Sequence, residues 1–154
     1  MEDGTLEFEM PCDNEGYVLL QCPKCGELFK AAPSDIESDS VLHIYCPSCG
    51  LISDSFLTDD AVDLAMAMAS NWALIRLDEE LKKMTRKAGT HGSPVGLELK
   101  VEWEEEPETP LMPSVEALIS ATCPDCGRTA KISPLLAMSS HACPFCGIGQ
   151  FNDR

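Results

Sequence analysis

Aromatic side chains are scarce in this chain, at 6% of residues. The core therefore has little aromatic bulk, and the stacking platforms used by single-strand nucleic-acid binders are missing. Basic residues are scarce as well. Eleven Lys and Arg stand against 26 Asp and Glu, for a formal net charge of −15. Such a chain repels phosphate backbones as a whole. Histidine occurs only at positions 43, 91 and 141. None of the three belongs to a Ser/His/Asp set or a His-Glu metal motif, and no Gly-rich phosphate loop is present. The expectation is a protein that is not an enzyme. No apolar run approaches the roughly 18 residues of a membrane span. The opening Met-Glu-Asp-Gly is acidic and leads into no apolar h-region, so the expected setting is reducing and cytoplasmic, without a signal peptide.

Cysteine, by contrast, is abundant and patterned. Residues 22–33 and 123–134 both read Cys-Pro-x-Cys-Gly-x-x-x-Lys-x-x-Pro, and each is followed by a second Cys-Pro-x-Cys-Gly, at 46–50 and 143–147. This is an internal repeat. A Cys-x-x-Cys turn aims two thiolates at one point, and the Gly after it takes the positive φ that closes the turn. Two such turns supply a closed tetrahedral four-cysteine site. Residues 26–45 and 127–142 separate the inner cysteines, within the Cys-x2-Cys-x15–20-Cys-x2-Cys zinc spacing. The expected ligands are Cys22, Cys25, Cys46 and Cys49 for one Zn²⁺, and Cys123, Cys126, Cys143 and Cys146 for a second. With four protein ligands each, both ions are expected to be structural. A rubredoxin-type iron site has the same four-cysteine geometry, so spacing alone leaves zinc and iron open. A thioredoxin-like redox pair would need one such motif beside a βαβ pattern, not four in matched pairs. Each site adds two further negative charges, from four thiolates and one dication. Cys12 is left over and is expected to be a free thiol. His43 and His141 lie near complete four-cysteine sets and are expected to be spare.

The run Cys22-Pro-x-Cys25-Gly-x-x-Phe29-Lys-Ala31, then Val41 before Cys46-x-x-Cys49, resembles a short bacterial and archaeal finger-like zinc-ribbon family. Residues 123–147 are similar to the broader Cys-Pro-x-Cys-Gly zinc-ribbon group. The resemblance covers roughly residues 17–57 and 118–151 and is silent on the middle of the chain. It implies short antiparallel hairpins around zinc. It does not imply a task, because zinc ribbons serve transcription, RNA processing, translation and protein assembly alike.

The expected architecture is a small, metal-stabilised α+β fold: two four-cysteine zinc ribbons around or flanking one long central helix. The expected divisions are 1–57 (N-terminal strands and first ribbon), 58–104 (helix and strand), 105–114 (acidic Pro-rich linker) and 115–154 (second ribbon). Leu6, Phe8 and Met10 alternate with glutamates, predicting a half-buried strand over 5–10. Asp13 lies in a turn cluster over 11–16. Tyr17–Leu20, Leu28–Ala31 and Val41–Tyr45 read as strands, Pro33–Ser40 as a polar loop, and Leu51–Leu57 as the segment closing the first ribbon. Residues 59–87 read as one helix, capped by Thr58 or Asp59, with acid in its first turns and Lys82, Lys83, Arg86 and Lys87 in its last. Its first half is apolar almost all round, which predicts cover on several sides or a dimer contact. Clean alternation over Val95–Glu104 predicts a strand. In the second ribbon, Ser133 and Pro134 read as N-cap and N1 of a helical turn.

For function, the leading expectation is a non-catalytic zinc-binding adaptor or regulatory protein whose partner is another protein, with a homodimer through the 59–87 helix as one form. The alternative is a nucleic-acid-binding or transcription-associated zinc ribbon. It would act through the second ribbon, where residues 120–154 carry Arg128, Lys131 and Arg154, and through the Lys82–Lys87 cluster. A third form is an acidic nucleic-acid mimic acting through residues 98–108.

Overall fold

The computed structural model of the chain describes residues 5–88, 102–111 and 117–150. The chain divides into two compact units: one formed by 9–62 together with the chain from Leu111 onward, the other by 63–110 together with the chain up to Phe8.

In the first unit both repeats fold into the same hairpin. Strand β1 (Val18–Gln21) pairs antiparallel with β2 (Leu28–Ala31), with Val18 opposite Ala31 and Gln21 opposite Leu28. Strand β3 (Ile119–Thr122) pairs in the same way with β4 (Thr129–Ile132), with Ile119 opposite Ile132 and Thr122 opposite Thr129. The two hairpins then join edge to edge. Strands β2 and β4 pair antiparallel, placing Lys30 opposite Lys131 and Ala31 opposite Ala130, so one four-stranded sheet runs β1-β2-β4-β3. Lys30 and Lys131 hold the same position in the repeat. The pairing therefore relates the two hairpins by a local two-fold axis that passes between them.

Strand alternation sends Val18, Leu20, Phe29, Ala31, Ala130 and Ile132 into a common core, with Phe56 and Phe145. Phe29 is fully buried and meets Phe56 edge-on at 5.7 Å. This T-shaped contact is the geometry the ring quadrupoles favour. After each hairpin a proline starts a short helix: α1 (Pro33–Ile36) and α3 (Pro134–Met138). Ser133 caps α3 as expected, its hydroxyl accepting from the Leu136 N–H. Helix α1 replaces part of the expected loop over 33–40, because Pro33 pre-sets the helical φ just as Pro134 does.

Helix α2 (Asp59–Ala88) is 30 residues long, one residue beyond the expected end. Thr58 caps its start, with its hydroxyl accepting from the Ala61 N–H and its carbonyl from the Val62 N–H. The Gln21 side chain and Asp59 exchange two hydrogen bonds, of 3.0 and 3.2 Å. Acid opens the helix and Arg86 and Lys87 close it, matching the macrodipole. The expected cover over its first half is partial among the described residues: Leu64, Met68 and Leu74 are half-buried, whereas Met66 and Ile75 are exposed. Among the described residues of α2 only Ala61 and Ala67 are buried. Its alanines, methionines and leucines favour the helix by propensity, which asks for no burial.

In the second unit Asn71 holds the segment after the expected strand. Its amide donates to the Glu106 carbonyl and to the Glu108 carboxylate, and its oxygen accepts from the Glu106 N–H, each at 2.9 Å. Most of the strand expected over 95–104 lies outside the described residues, and 102–104 belong to no strand. The strand expected over 5–10 is also absent. Leu6 is exposed, Phe8 is half-buried and Met10 packs against the core, but among the described residues the segment pairs with no strand, and the nearest link to β1 is an isolated Cys12–Val18 bridge. The strand expected over 41–45 shrinks to a single Tyr45–Ile52 bridge.

Candidate metal centre

Four Cys-Pro-x-Cys-Gly turns share one backbone design. In each, the Gly N–H donates to the carbonyl of the first Cys: Gly26 to Cys22, Gly50 to Cys46, Gly127 to Cys123 and Gly147 to Cys143, at 2.8–2.9 Å. The N–H of that first Cys donates across the turn to Glu27, Leu51, Arg128 or Ile148, at 2.9–3.0 Å. All four glycines have φ between 71° and 77°, as the turn demands. The third residue's N–H and the second cysteine's N–H face the first sulfur at Cys22, Cys46, Cys123 and Cys143.

These turns bring the eight expected cysteines into two groups of four. The Sγ atoms of Cys22, Cys25, Cys46 and Cys49 lie within 4.8 Å of one another, and so do those of Cys123, Cys126, Cys143 and Cys146. Across the first group, Cys22 to Cys49 is 3.8 Å and Cys25 to Cys46 is 3.5 Å. Across the second, Cys123 to Cys146 and Cys126 to Cys143 are both 3.7 Å. A Zn–S bond of about 2.3 Å sets a tetrahedral S···S edge of about 3.8 Å, so the spacing fits a tetrahedral thiolate site. A disulfide needs about 2.05 Å, and none is formed at either group. Both groups are thus compatible with a structural metal ion held by four sulfurs.

The electrostatics of the sulfurs point the same way. Burial pushes the Cys22 thiol up, but the N–H groups of Cys25 and Lys24 and hydrogen bonds with Cys25 and Cys46 outweigh it and bring it down to about 7. Cys123 is lowered by the matching set of donors, again against burial. Burial dominates at Cys46 and Cys143 and pushes both thiols well up. Four thiolates this close cannot all ionise unaided. A divalent cation held by the four sulfurs would supply the counter-charge and favour the thiolate form of the remaining cysteines.

The two centres sit on one frame. The Tyr45 N–H donates to the Pro144 carbonyl at 2.8 Å, and the Ala142 N–H donates to the Pro47 carbonyl at 2.9 Å. Tyr45 and Ala142 occupy equivalent places before their knuckles, as Pro47 and Pro144 do within them. The second knuckles therefore repeat the two-fold relation of the sheet. Strands β5 (His141–Ala142) and β6 (Gly149–Gln150) flank the last knuckle.

The spare histidines stay outside both groups. His43 is exposed, and His141 places Nδ1 3.1 Å from the Leu136 carbonyl oxygen. Cys12 is a free thiol. Sequence reading missed the role of Asp13. Its Oδ2 lies 2.7 Å from Lys131 Nζ and 3.4 Å from Lys30 Nζ, and its Oδ1 accepts from the N–H groups of Glu15 and Tyr17. The signal was partial: a lysine recurs at the same place in both repeats, but Asp13 lies 17 positions from Lys30 and 118 from Lys131, so nothing local ties them together.

Comparison of the chain with protein-family models, curated proteins and solved structures gave no match. No helix among the described residues is long and apolar enough to cross a membrane.

Proposed function

We propose that the chain is a non-catalytic adaptor in which two structural zinc ions, one per four-cysteine group, stiffen a joined pair of ribbons that binds another protein. Zinc is the reading best supported for the metal, because a site closed by four cysteine sulfurs suits an ion that needs neither redox change nor an open coordination position.

One observation carries a protein partner over a nucleic acid. Among the described residues, the two cations of the second ribbon, Arg128 and Lys131, are paired with acids of the fold. Lys131 lies against Asp13 and Glu15, at 2.7 and 2.8 Å. Arg128 lies 3.5 Å from Asp35 and donates to Ser38 and Ser40. In the Lys82–Lys87 cluster, Lys82 pairs with Asp78 and Lys83 with Glu80. Apolar side chains on the ribbon unit are instead left in solvent. A cleft of about 450 Å³ is floored by the core residues Leu20 and Phe56 and lined further by Ile36, Ile44, Leu57 and Leu42, the last 84% exposed. A frame stiffened by metal presents these groups without an ordering cost at binding.

Native mass spectrometry of protein purified without added metal, run beside affinity capture from its own cell extract, tests this reading. The expected result is two zinc ions per chain and a captured protein that is lost with Leu42→Asp. Iron in place of zinc would overturn the metal assignment. Captured nucleic acid with a steep salt dependence would overturn the partner class.

A further inference from the structure

The two metal centres are alike in their cysteines but not in what covers them. Each second knuckle is met by the residue that precedes the other one: Tyr45 approaches Gly147, and Ala142 approaches Gly50. A Cβ built on Gly147 would lie 2.9 Å from the Tyr45 ring, so the ring rests directly on that glycine. A Cβ built on Gly50 would meet only the Ala142 methyl, at 4.0 Å. The residue inside the knuckle differs as well. Phe145 is buried in the core, whereas Ser48, at the same place in the first centre, is exposed.

The cysteines follow this cover. The first cysteine of every knuckle is buried, at Cys22, Cys46, Cys123 and Cys143. The second is exposed in the first centre, at Cys25 and Cys49, and half-buried in the second, at Cys126 and Cys146. The knuckle backbones do not explain the difference, since all four carry the same Gly-to-Cys hydrogen bond and the same positive φ. A metal ion leaves a closed four-sulfur site as an incoming ligand displaces its sulfurs, and the shell around those sulfurs controls that access. We propose that the first centre is the exchangeable one, where metal enters and leaves and electrophiles reach the sulfurs, and that the Tyr45 ring shields the second. This inference rests on the reading of two metal ions per chain and goes beyond the adaptor role. The better-covered ion holds the joined frame, and the other answers to metal supply.

Isotope exchange in the full chain tests the proposal. Protein loaded with one zinc isotope is mixed with an excess of a heavier one and followed by native mass spectrometry. The expected course passes through a chain that holds one light and one heavy ion. Brief labelling with uncharged iodoacetamide, stopped while most chains are unmodified, locates the open centre. Cys25 and Cys49 are expected to be alkylated about threefold or more faster than Cys126 and Cys146. Tyr45→Ala is expected to raise the Cys146 rate by about threefold or more, and Tyr45→Phe, which keeps the ring, to leave it unchanged. Ala142→Tyr offers the first centre the ring it lacks and is expected to slow Cys49. Fewer than two ions per chain in the starting protein would overturn the metal reading and this inference with it. Two ions that exchange at one rate, with both centres labelled equally, overturn the inference alone. So does a Cys146 rate that Tyr45→Ala leaves unchanged, or raises only together with those of Cys123 and Cys143, because the ring would then hold the centre together rather than shield it.

Discussion

Lys30 and Lys131 face each other across the pairing of β2 and β4, two like charges directly opposite in an antiparallel sheet. Such a pair is destabilising unless a counter-charge is shared between them. Asp13 is that counter-charge, and the Tyr17 ring lies 4.7 Å from Lys131 Nζ as a second support. The joint between the two ribbons therefore depends on a carboxylate from a turn that belongs to neither hairpin.

Replacing Asp13 should loosen this joint. Asp13→Ala removes its contacts with both lysines and two turn hydrogen bonds, at a cost of about 1–3 kcal/mol. The hydrogen bond from Lys131 leads in holding the Asp13 carboxyl well below the usual carboxylate range, with help from the Tyr17 and Glu15 N–H groups and Lys30 against the opposing effect of burial. A depressed carboxyl stabilises the fold above its unfolded value, and this contribution is lost only as pH falls through the folded value. The difference between wild type and Asp13→Asn should therefore stay flat between pH about 8 and about 5. Denaturant unfolding of the zinc-loaded proteins measures it, and a difference that already fades in this window would remove Asp13 from its assigned role.

The shared frame predicts that the two metal centres are coupled. Structural zinc contributes on the order of 10–16 kcal/mol to a small folded peptide. Here the ribbons share a sheet and exchange hydrogen bonds at Tyr45–Pro144 and Ala142–Pro47. The double change Cys22→Ser/Cys25→Ser should therefore weaken metal binding at Cys123, Cys126, Cys143 and Cys146 by about tenfold or more, equivalent to a coupling of about 1.4 kcal/mol. Chelator titration followed by native mass spectrometry should show the two-metal and metal-free chains with little one-metal species between. A stable one-metal chain with undiminished affinity at the second centre would show that the ribbons are independent.

Much of this was legible in the sequence, and the misses share a cause. Cysteine spacing, the glycines after each knuckle, the β2 pattern at Leu28–Ala31 and the caps of α2 at Thr58 and α3 at Ser133 are all local signals. The structure shows each of them. The pairing of β2 with β4 joins residues about a hundred positions apart, and no local period encodes it. Alternation over 5–10 misled for the converse reason: Leu6, Phe8 and Met10 have the right period, but a strand also needs a free edge to pair with. The apolar first half of α2 suggested burial, whereas its composition secures the helix alone and leaves Met66 in solvent.

The four knuckle glycines are not equivalent, although the sequence writes them alike. All have positive φ, so any side chain there is strained by about 1–2 kcal/mol. A Cβ at Gly26 or Gly127 would meet nothing within 4 Å, whereas one at Gly147 would come within 2.9 Å of the Tyr45 ring. Gly147→Ala should therefore cost about 1–3 kcal/mol more than Gly26→Ala. Adding Tyr45→Ala to Gly147→Ala should recover part of the excess, because the ring is the obstacle. Thermal unfolding of the four proteins measures it. Equal losses at Gly26 and Gly147 would mean that Tyr45 does not pack over the last knuckle.

Asn71 offers a test that leaves the metal centres untouched. Its side chain is both donor and acceptor to the Glu106 backbone, and it donates to the Glu108 carboxylate as well. An amide plays both parts, whereas a carboxylate at the same place accepts from the Glu106 N–H but faces the Glu106 carbonyl and the Glu108 carboxylate with like partial or full charge. Asn71→Asp should therefore release the 105–110 segment more completely than Asn71→Ala, which merely removes the bonds. Each lost bond contributes about 0.5–1.5 kcal/mol locally. Amide exchange should accelerate at Glu106 in both variants and more in the aspartate form, while zinc stoichiometry stays at two. Lowering the pH through the carboxylate range should protonate the introduced carboxylate and narrow the gap between the two variants, and a gap that persists would mean that charge is not what parts them.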